Sequence, residues 1–225
     1  MAKLNIVGVG PGSSDFVTPA ARKTVQKSAL VIGAQRSLNL FTSEIKCETC
    51  VLTAKNLNEA LGCAVEAVKN GKEVALLSTG DPGFSGLLHT VLESGLVESK
   101  DINVVPGVSS IQACAAKLAV SWDMALLLTF HEGNVSEEEK QVLDFAISSG
   151  EDVILLPDAK AFSPKVIARY LINSGADKDT PVYVCENLTL PEERITSSTL
   201  ADVSKLEFGS LCVMVIKANR KVKGS

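Results

Sequence analysis

L-N-I-V-G-V-G-P-G, residues 4–12, runs a short apolar segment straight into Gly8, Gly10 and Gly12. A buried strand ending in such a turn lets a ligand lie against the backbone, because glycine has no Cβ and tolerates positive φ. Thr18-Pro19 then opens a helix, with Thr18 as N-cap and Pro19 at the first helical position. Strand, glycine turn and helix in this order place a nucleotide-like ligand on the turn.

The turn is not a dinucleotide fingerprint. Ser13 stands where G-x-G-x-x-G needs its third glycine, and the next strand, L-V-I-G at 30–33, ends without an acid. The sequence has no G-x-x-x-x-G-K-[ST] loop, and Pro11 removes an N–H where a pyrophosphate would want one. The turn therefore suits a ligand with little phosphate character. A glycine turn that only packs remains the alternative on these residues alone.

Beyond this turn, the first half alternates strand and helix. A helix at 18–28 precedes the strand at 29–33, and Gly33 and Arg36 follow in G-A-Q-R-S-L. A helix at 56–70 stops at Asn70-Gly71. K-E-V-A-L-L-S at 72–78 reads as a strand buried on both faces, ending in T-G-D-P-G, with a helix at 84–94. I-N-V-V at 102–105 ends in P-G-V-S-S, and an alanine-rich helix runs to 118. Three strand ends thus close in glycine turns, at 8–12, 80–83 and 106–110. In open α/β sheets ligands bind outside the carboxyl ends of strands, so the three turns predict one cleft.

The second half differs. Strands are expected at 124–130, 152–157 and 181–185, a capping box at Ser136, and a helix start at Ser163-Pro164. Segments 194–199 and 210–216 read as a hairpin or sheet edge. Trp122 is expected in the core where the domains join, and the boundary is placed near 118–123, giving domains 1–120 and 121–225.

The 225 residues carry a net charge of −4 without a basic block, which argues against broad nucleic-acid binding. No apolar run reaches membrane-spanning length, and the N-terminus has no signal-peptide anatomy. The six cysteines sit in apolar segments, as reduced thiols in a cytoplasm do. Cys47 and Cys50 form a C-x-x-C with no second pair at zinc spacing, so no metal is expected. The two histidines are His89 and His131.

Four segments in order resemble the class III, tetrapyrrole-type S-adenosylmethionine methyltransferases: G-V-G-P-G-S-S-D-F-V-T, T-G-D-P at 79–82, P-G-V-S-S-I-Q-A at 106–113 and E-N-L-T-L-P-E-E-R-I at 186–195. The resemblance spans nearly the whole sequence. Within the family it is most similar to the precorrin methylases acting at C5, through V-I-G-A-Q-R-S-L, P-G-V-S-S-I-Q-A-C-A-A-K-L and Ser121-Trp122-Asp123. One departure is visible: His131-Glu132-Gly133 stands where those methylases commonly read His-Gly-Arg.

The resemblance implies two α/β domains of the tetrapyrrole methylase fold, with the cofactor cleft between them. It implies S-adenosylmethionine as methyl donor, a corrin-ring acceptor (C5 of cobalt-precorrin-7 in cobalamin synthesis) and a homodimer. The sequence ends soon after its final strand, so a separate protein is expected to carry out the companion C15-methylation and decarboxylation. Gly8, Gly10, Pro11, Gly80, Asp81, Ser109 and Ser110 are expected on the cofactor, and Asn187 and Leu188 at its adenine. Asp81 and His131 are the catalytic candidates. Arg36 and Arg22 are expected at substrate carboxylates, which an arginine fork suits. Methyl transfer from a sulfonium to an enamine-like carbon is an in-line displacement. Positioning alone can supply about 7–11 kcal/mol, so a strong base is not required. The alternatives are another ring position, uroporphyrinogen III, a protein or RNA acceptor, or a nucleotide-binding module without turnover.

Overall fold

The computed structural model describes residues 2–130 and 135–217. The protein divides into two compact units between Ser110 and Ile111.

The first unit is built on a parallel sheet. Its strands are β1 (Leu4–Gly8), β2 (Leu30–Gly33), β3 (Glu48–Val51), β4 (Val74–Ser78) and β5 (Ile102–Val105), in the order β3-β2-β4-β1-β5. Every pairing is parallel. Side chains alternate between the faces of a strand, and the core follows that alternation. Leu4, Ile6, Leu30, Ile32, Val74 and Leu76 pack with Ala60, Leu61 and Ala64 of α3 (Leu57–Lys69). Val7, Val31, Ala75 and Leu77 pack with Ala21 and Val25 of α1 (Pro19–Lys27), and with Phe41 beyond α2 (Gln35–Asn39). Both faces are covered, which is why β1 and β4 are buried along their whole length.

Helix α1 starts as its sequence predicts: Thr18 Oγ1 accepts from the Ala21 N–H at 3.1 Å, with Pro19 in the first turn. Helix α4 (Leu87–Glu93) starts differently. Gly86 stands at its N-cap, and the hydroxyl of buried Ser78, nine residues back, accepts from the Leu87 N–H at 3.1 Å.

The second unit carries the mixed sheet β6-β7-β10-β8-β9, from β6 (Leu126–Thr129), β7 (Val153–Leu156), β8 (Pro181–Glu186), β9 (Arg194–Thr199) and β10 (Cys212–Ile216). Of its four pairings, β6–β7 is parallel and the rest are antiparallel. Strand β9 is the expected edge, but its hairpin partner is β8. Strand β10 lies mid-sheet between β7 and β8, so the expectation of an edge at 210–216 is corrected. The cue was there: V-M-V-I is apolar on both faces, and Val213 to Ile216 are all buried.

Helix α5 (Ser110–Lys117) begins at the division between the units. Helix α6 (Glu137–Ser149) has the Ser136–Glu139 capping box and ends at Gly150 with φ 79°. Helices α6, α7 (Pro164–Asn173) and α8 (Leu200–Val203) pack on the sheet through Leu143, Ile167, Leu171 and Val203, with Phe130 edge-on to Phe162 at 5.0 Å. Trp122, expected in the core, is 40% exposed. No helix among the described residues is long and apolar enough to cross a membrane.

Candidate functional site

Strand order decides where the glycine turns meet. Strand β1 lies between β4 and β5, and all three run parallel, so the turns at 8–12, 79–86 and 106–110 leave one edge of the sheet side by side. Backbone hydrogen bonds tie them to one another. Gly80 N–H donates to the Gly10 carbonyl at 2.8 Å, and Gly10 N–H to the Gly80 carbonyl at 3.3 Å. Gly10 and Gly80 hold φ of 85° and 69°, which a Cβ would disfavour.

Gly8 and Gly107 serve a different need. A Cβ on Gly107 would stand 2.3 Å from the Gly80 carbonyl oxygen and 2.7 Å from Gly8 Cα. A Cβ on Gly8 would meet Gly107 N at 2.5 Å. Backbone packs on backbone here, so these two glycines let the turns close on each other. Gly80 is more open, since a Cβ there finds only Ser109 Cα, at 3.8 Å.

Asp81 is the joint of this assembly. One carboxylate oxygen accepts the Gly83 N–H at 2.8 Å, within its own turn. The other accepts the Gly107 N–H at 3.0 Å, from the turn after β5. Ser109 is buried, while Pro11 and Ser110 are half-buried. The three turns carry no basic side chain. That composition fits a ligand with little phosphate character better than a polyphosphate.

Arg36, exposed at the start of α2, donates to Thr79 Oγ1 at 3.3 Å and so stands at the head of the second turn. Arg22 is held elsewhere. Its guanidinium pairs with Glu44, donates to the Ser14 carbonyl at 2.8 Å and lies over the Phe41 ring. His131, with Glu132 and Gly133, lies outside the described residues.

In the second unit, residues 187–193 form the turn of the β8–β9 hairpin, between Glu186 and Arg194. Glu186, buried at 4% exposure, faces Arg194 across the ladder; Arg194 Nε donates to it at 2.6 Å, and Gly209 N–H to its other oxygen at 2.8 Å. Further along, Asn187 and Thr189 adopt φ of 49° and 69° on either side of Leu188, which is 5% exposed. For a β-branched threonine that backbone is a true outlier. Glu193 accepts the Thr189 N–H at 2.8 Å and pairs with Lys117 at 2.7 Å. The Lys117 ammonium, then the Thr189 N–H, holds the Glu193 carboxyl below the usual carboxylate range.

Three thiols lie near this hairpin. Cys114 of α5 is hydrogen-bonded to Cys185, and that bond, with burial, pushes its pKa up. Burial, then the nearby Glu186 and Cys185, pushes Cys212 up to about 12. Cys47 and Cys50 sit at edge strand β3, and no grouping of His, Cys, Asp and Glu fit to hold a metal occurs among the described residues.

Motif reading marked Asp81, Asn187 and Leu188 but missed Glu193, Lys117 and Ser78. An acid two residues past a hairpin proline carries no signal without the partner that geometry brings to it.

Residues 3–204 match the family model described as Tetrapyrrole (Corrin/Porphyrin) Methylases. The sequence is 38% identical to the probable cobalt-precorrin-7 C(5)-methyltransferase of Methanocaldococcus jannaschii, over 96% of this protein and 99% of that one. Among solved structures it is similar to a cobalt precorrin-4 methyltransferase of cobalamin biosynthesis, with TM-score 0.76 and 26% identity over 96% of this protein and 94% of the other. It also shares the fold of a Thermus thermophilus uroporphyrin-III C-methyltransferase solved with S-adenosylhomocysteine, at TM-score 0.73 and 20% identity over 96% and 92% of the two.

Proposed function

The protein belongs to the tetrapyrrole (corrin/porphyrin) methylases, S-adenosylmethionine-dependent C-methyltransferases, and we propose that its acceptor is C5 of cobalt-precorrin-7 in cobalamin synthesis. The observation that carries this reading is the relation to the Methanocaldococcus protein, which runs nearly end to end in both sequences.

S-adenosylmethionine, when bound, supplies an electrophilic methyl on a sulfonium. The protein's part is to hold donor and acceptor in line and keep water away. Gly10, Pro11, Gly80, Ser109 and Ser110, on the three joined turns, hold the methionine and ribose portion, with Gly8 closing the turns beneath them. Asp81 braces the turns through Gly83 and Gly107, so its work is positioning rather than proton transfer. Asn187 and Leu188 meet the adenine. Arg36, with its fork at Thr79, meets a substrate carboxylate, whereas the Arg22 guanidinium is already engaged by Glu44. His131 keeps the place read from the sequence, as the catalytic candidate that orients the substrate or takes a ring proton. A homodimer, a cytoplasmic site and a separate C15-methylating, decarboxylating enzyme complete the proposal.

The test is to incubate the purified protein with methyl-labelled S-adenosylmethionine and cobalt-precorrin-7 and locate the label by NMR. Label at C5 is expected. Label at another ring carbon would move the assignment to a sister activity. Cofactor binding without transfer to any tetrapyrrole would favour a binding module.

A further inference from the structure

We propose that Glu193 and Lys117 form a clamp that holds the 187–189 turn in the backbone shape presenting Asn187 and Leu188 to the cofactor. The inference rests on the cofactor reading above and adds two positioning residues to it.

The turn does not hold this shape by its own preference. Thr189, with φ 69°, and Asn187, with φ 49°, enclose a buried leucine. Left-handed backbone at a β-branched residue persists only where the surroundings over-determine it. The hairpin supplies part of that constraint: Asn187 N–H donates to the Leu211 carbonyl at 2.9 Å, and Leu190 N–H to the Asn187 carbonyl at 3.0 Å. Neither bond reaches the Thr189 peptide N–H. The Glu193 carboxylate does, at 2.8 Å, with its other oxygen anchored by Lys117 at the end of α5, at 2.7 Å. A charged acceptor held on two sides makes a stronger and better-directed bond than a neutral one. Glu193 is also fixed through its own N–H, which donates to the Leu190 carbonyl at 3.0 Å. Glu192, its exposed neighbour, offers its backbone carbonyl to the Asn187 amide at 3.5 Å. The clamp touches no reacting atom; it acts through the turn.

The test compares Glu193→Ala, Lys117→Met, Thr189→Gly and the double variant Glu193→Ala/Thr189→Gly in the full-length protein. Amide hydrogen exchange at 187–190, without ligand, reads the clamp itself. Calorimetry with S-adenosylmethionine, and KM against kcat, read its consequence. Losing one charged hydrogen bond predicts about tenfold faster exchange at Thr189, and about tenfold weaker cofactor binding, in Glu193→Ala. KM for the cofactor rises in parallel and kcat at saturation stays unchanged. Lys117→Met shows the same pattern to a smaller degree. Thr189→Gly binds as the parent does, and in the double variant it restores most of the affinity, because glycine needs no clamp to hold positive φ. That rescue is what a merely structural role for Glu193 would not give. Unchanged exchange in Glu193→Ala, unchanged cofactor affinity beside a wild type that binds, or a loss that Thr189→Gly leaves in place would each overturn the clamp. If the wild type itself binds no S-adenosylmethionine, the cofactor reading falls, while the exchange arm still decides the clamp.

Discussion

The Asp81 carboxylate receives the Gly107 N–H at 3.0 Å and the Gly83 N–H at 2.8 Å, so one side chain joins its own turn to one 26 residues away. Asp81→Ala leaves both N–H groups without that acceptor. The expected loss is about 1–3 kcal/mol of stability in urea unfolding. Cofactor affinity falls at least as steeply, measured by calorimetry. Unchanged affinity would remove Asp81 from the site.

Two glycines separate packing from permissiveness. Gly107→Ala pushes a Cβ to 2.3 Å from the Gly80 carbonyl oxygen, where only backbone movement makes room. The turns should part, with cofactor binding lost and the melting temperature lowered. Gly62, exposed inside α3, has nothing within 4 Å of a new Cβ. Gly62→Ala should raise stability by about 0.5–1 kcal/mol through helix propensity. Denaturant melts of both variants check the contrast.

Arg194→Met removes the cation from Glu186, which is 4% exposed and keeps the Gly209 N–H as a donor. Arg194 is largely solvent-exposed, which weakens the pair. The expected cost is therefore that of one charged hydrogen bond, about 1.5–3 kcal/mol, rather than that of a fully buried pair. A Glu186→Gln/Arg194→Met double variant should recover part of it in the same melts.

Arg36→Ala should raise KM for the tetrapyrrole about tenfold and leave kcat nearly unchanged, as loss of uniform binding does. Arg22→Ala should leave both kinetic constants alone and lower stability instead, because its partners are Glu44 and Ser14. Steady-state kinetics of the two variants, side by side, decide between them.

Cys212, with its pKa pushed up to about 12, should resist alkylation in the native protein at pH 8, while exposed Cys63 is labelled. Peptide mapping after iodoacetamide reads both. The pH dependence has a definite sign. An unfolded thiol titrates at about 8.5, and the folded one stays protonated until about 12. A thiol held neutral by burial favours the unfolded state once that state can ionise. Stability is therefore unaffected below the unfolded value and is lost as pH rises from there through the folded value. Melting temperature should fall over that window, and Cys212→Ser should flatten the fall.

Motifs were legible where residue type and geometry coincide locally. Thr18-Pro19 capped the helix it announced, and Ser136 with Glu139 formed the predicted box. Strand β3 was missed because E-T-C-V is a largely exposed edge with no apolar run to mark it. The α4 cap was missed because Ser78 serves it from nine residues away.

Residue order was enough to read the alternation of buried strands and capped helices, the three glycine turns, the cofactor class and the family. The strands, helices and turns follow from periodicity and from short motifs whose partners lie within a few residues, and the cofactor class and family from the resemblance that four such segments carry. Folding in three dimensions was needed to place β1 between β4 and β5, which brings the turns together. It was needed also to show that Gly8 and Gly107 are small for each other's backbone, and that Glu193 finds both Thr189 and Lys117. The difference is one of range. Helix caps and strand alternation are set by neighbours in sequence, whereas a carboxylate's partners are set by sheet order, which short segments do not encode.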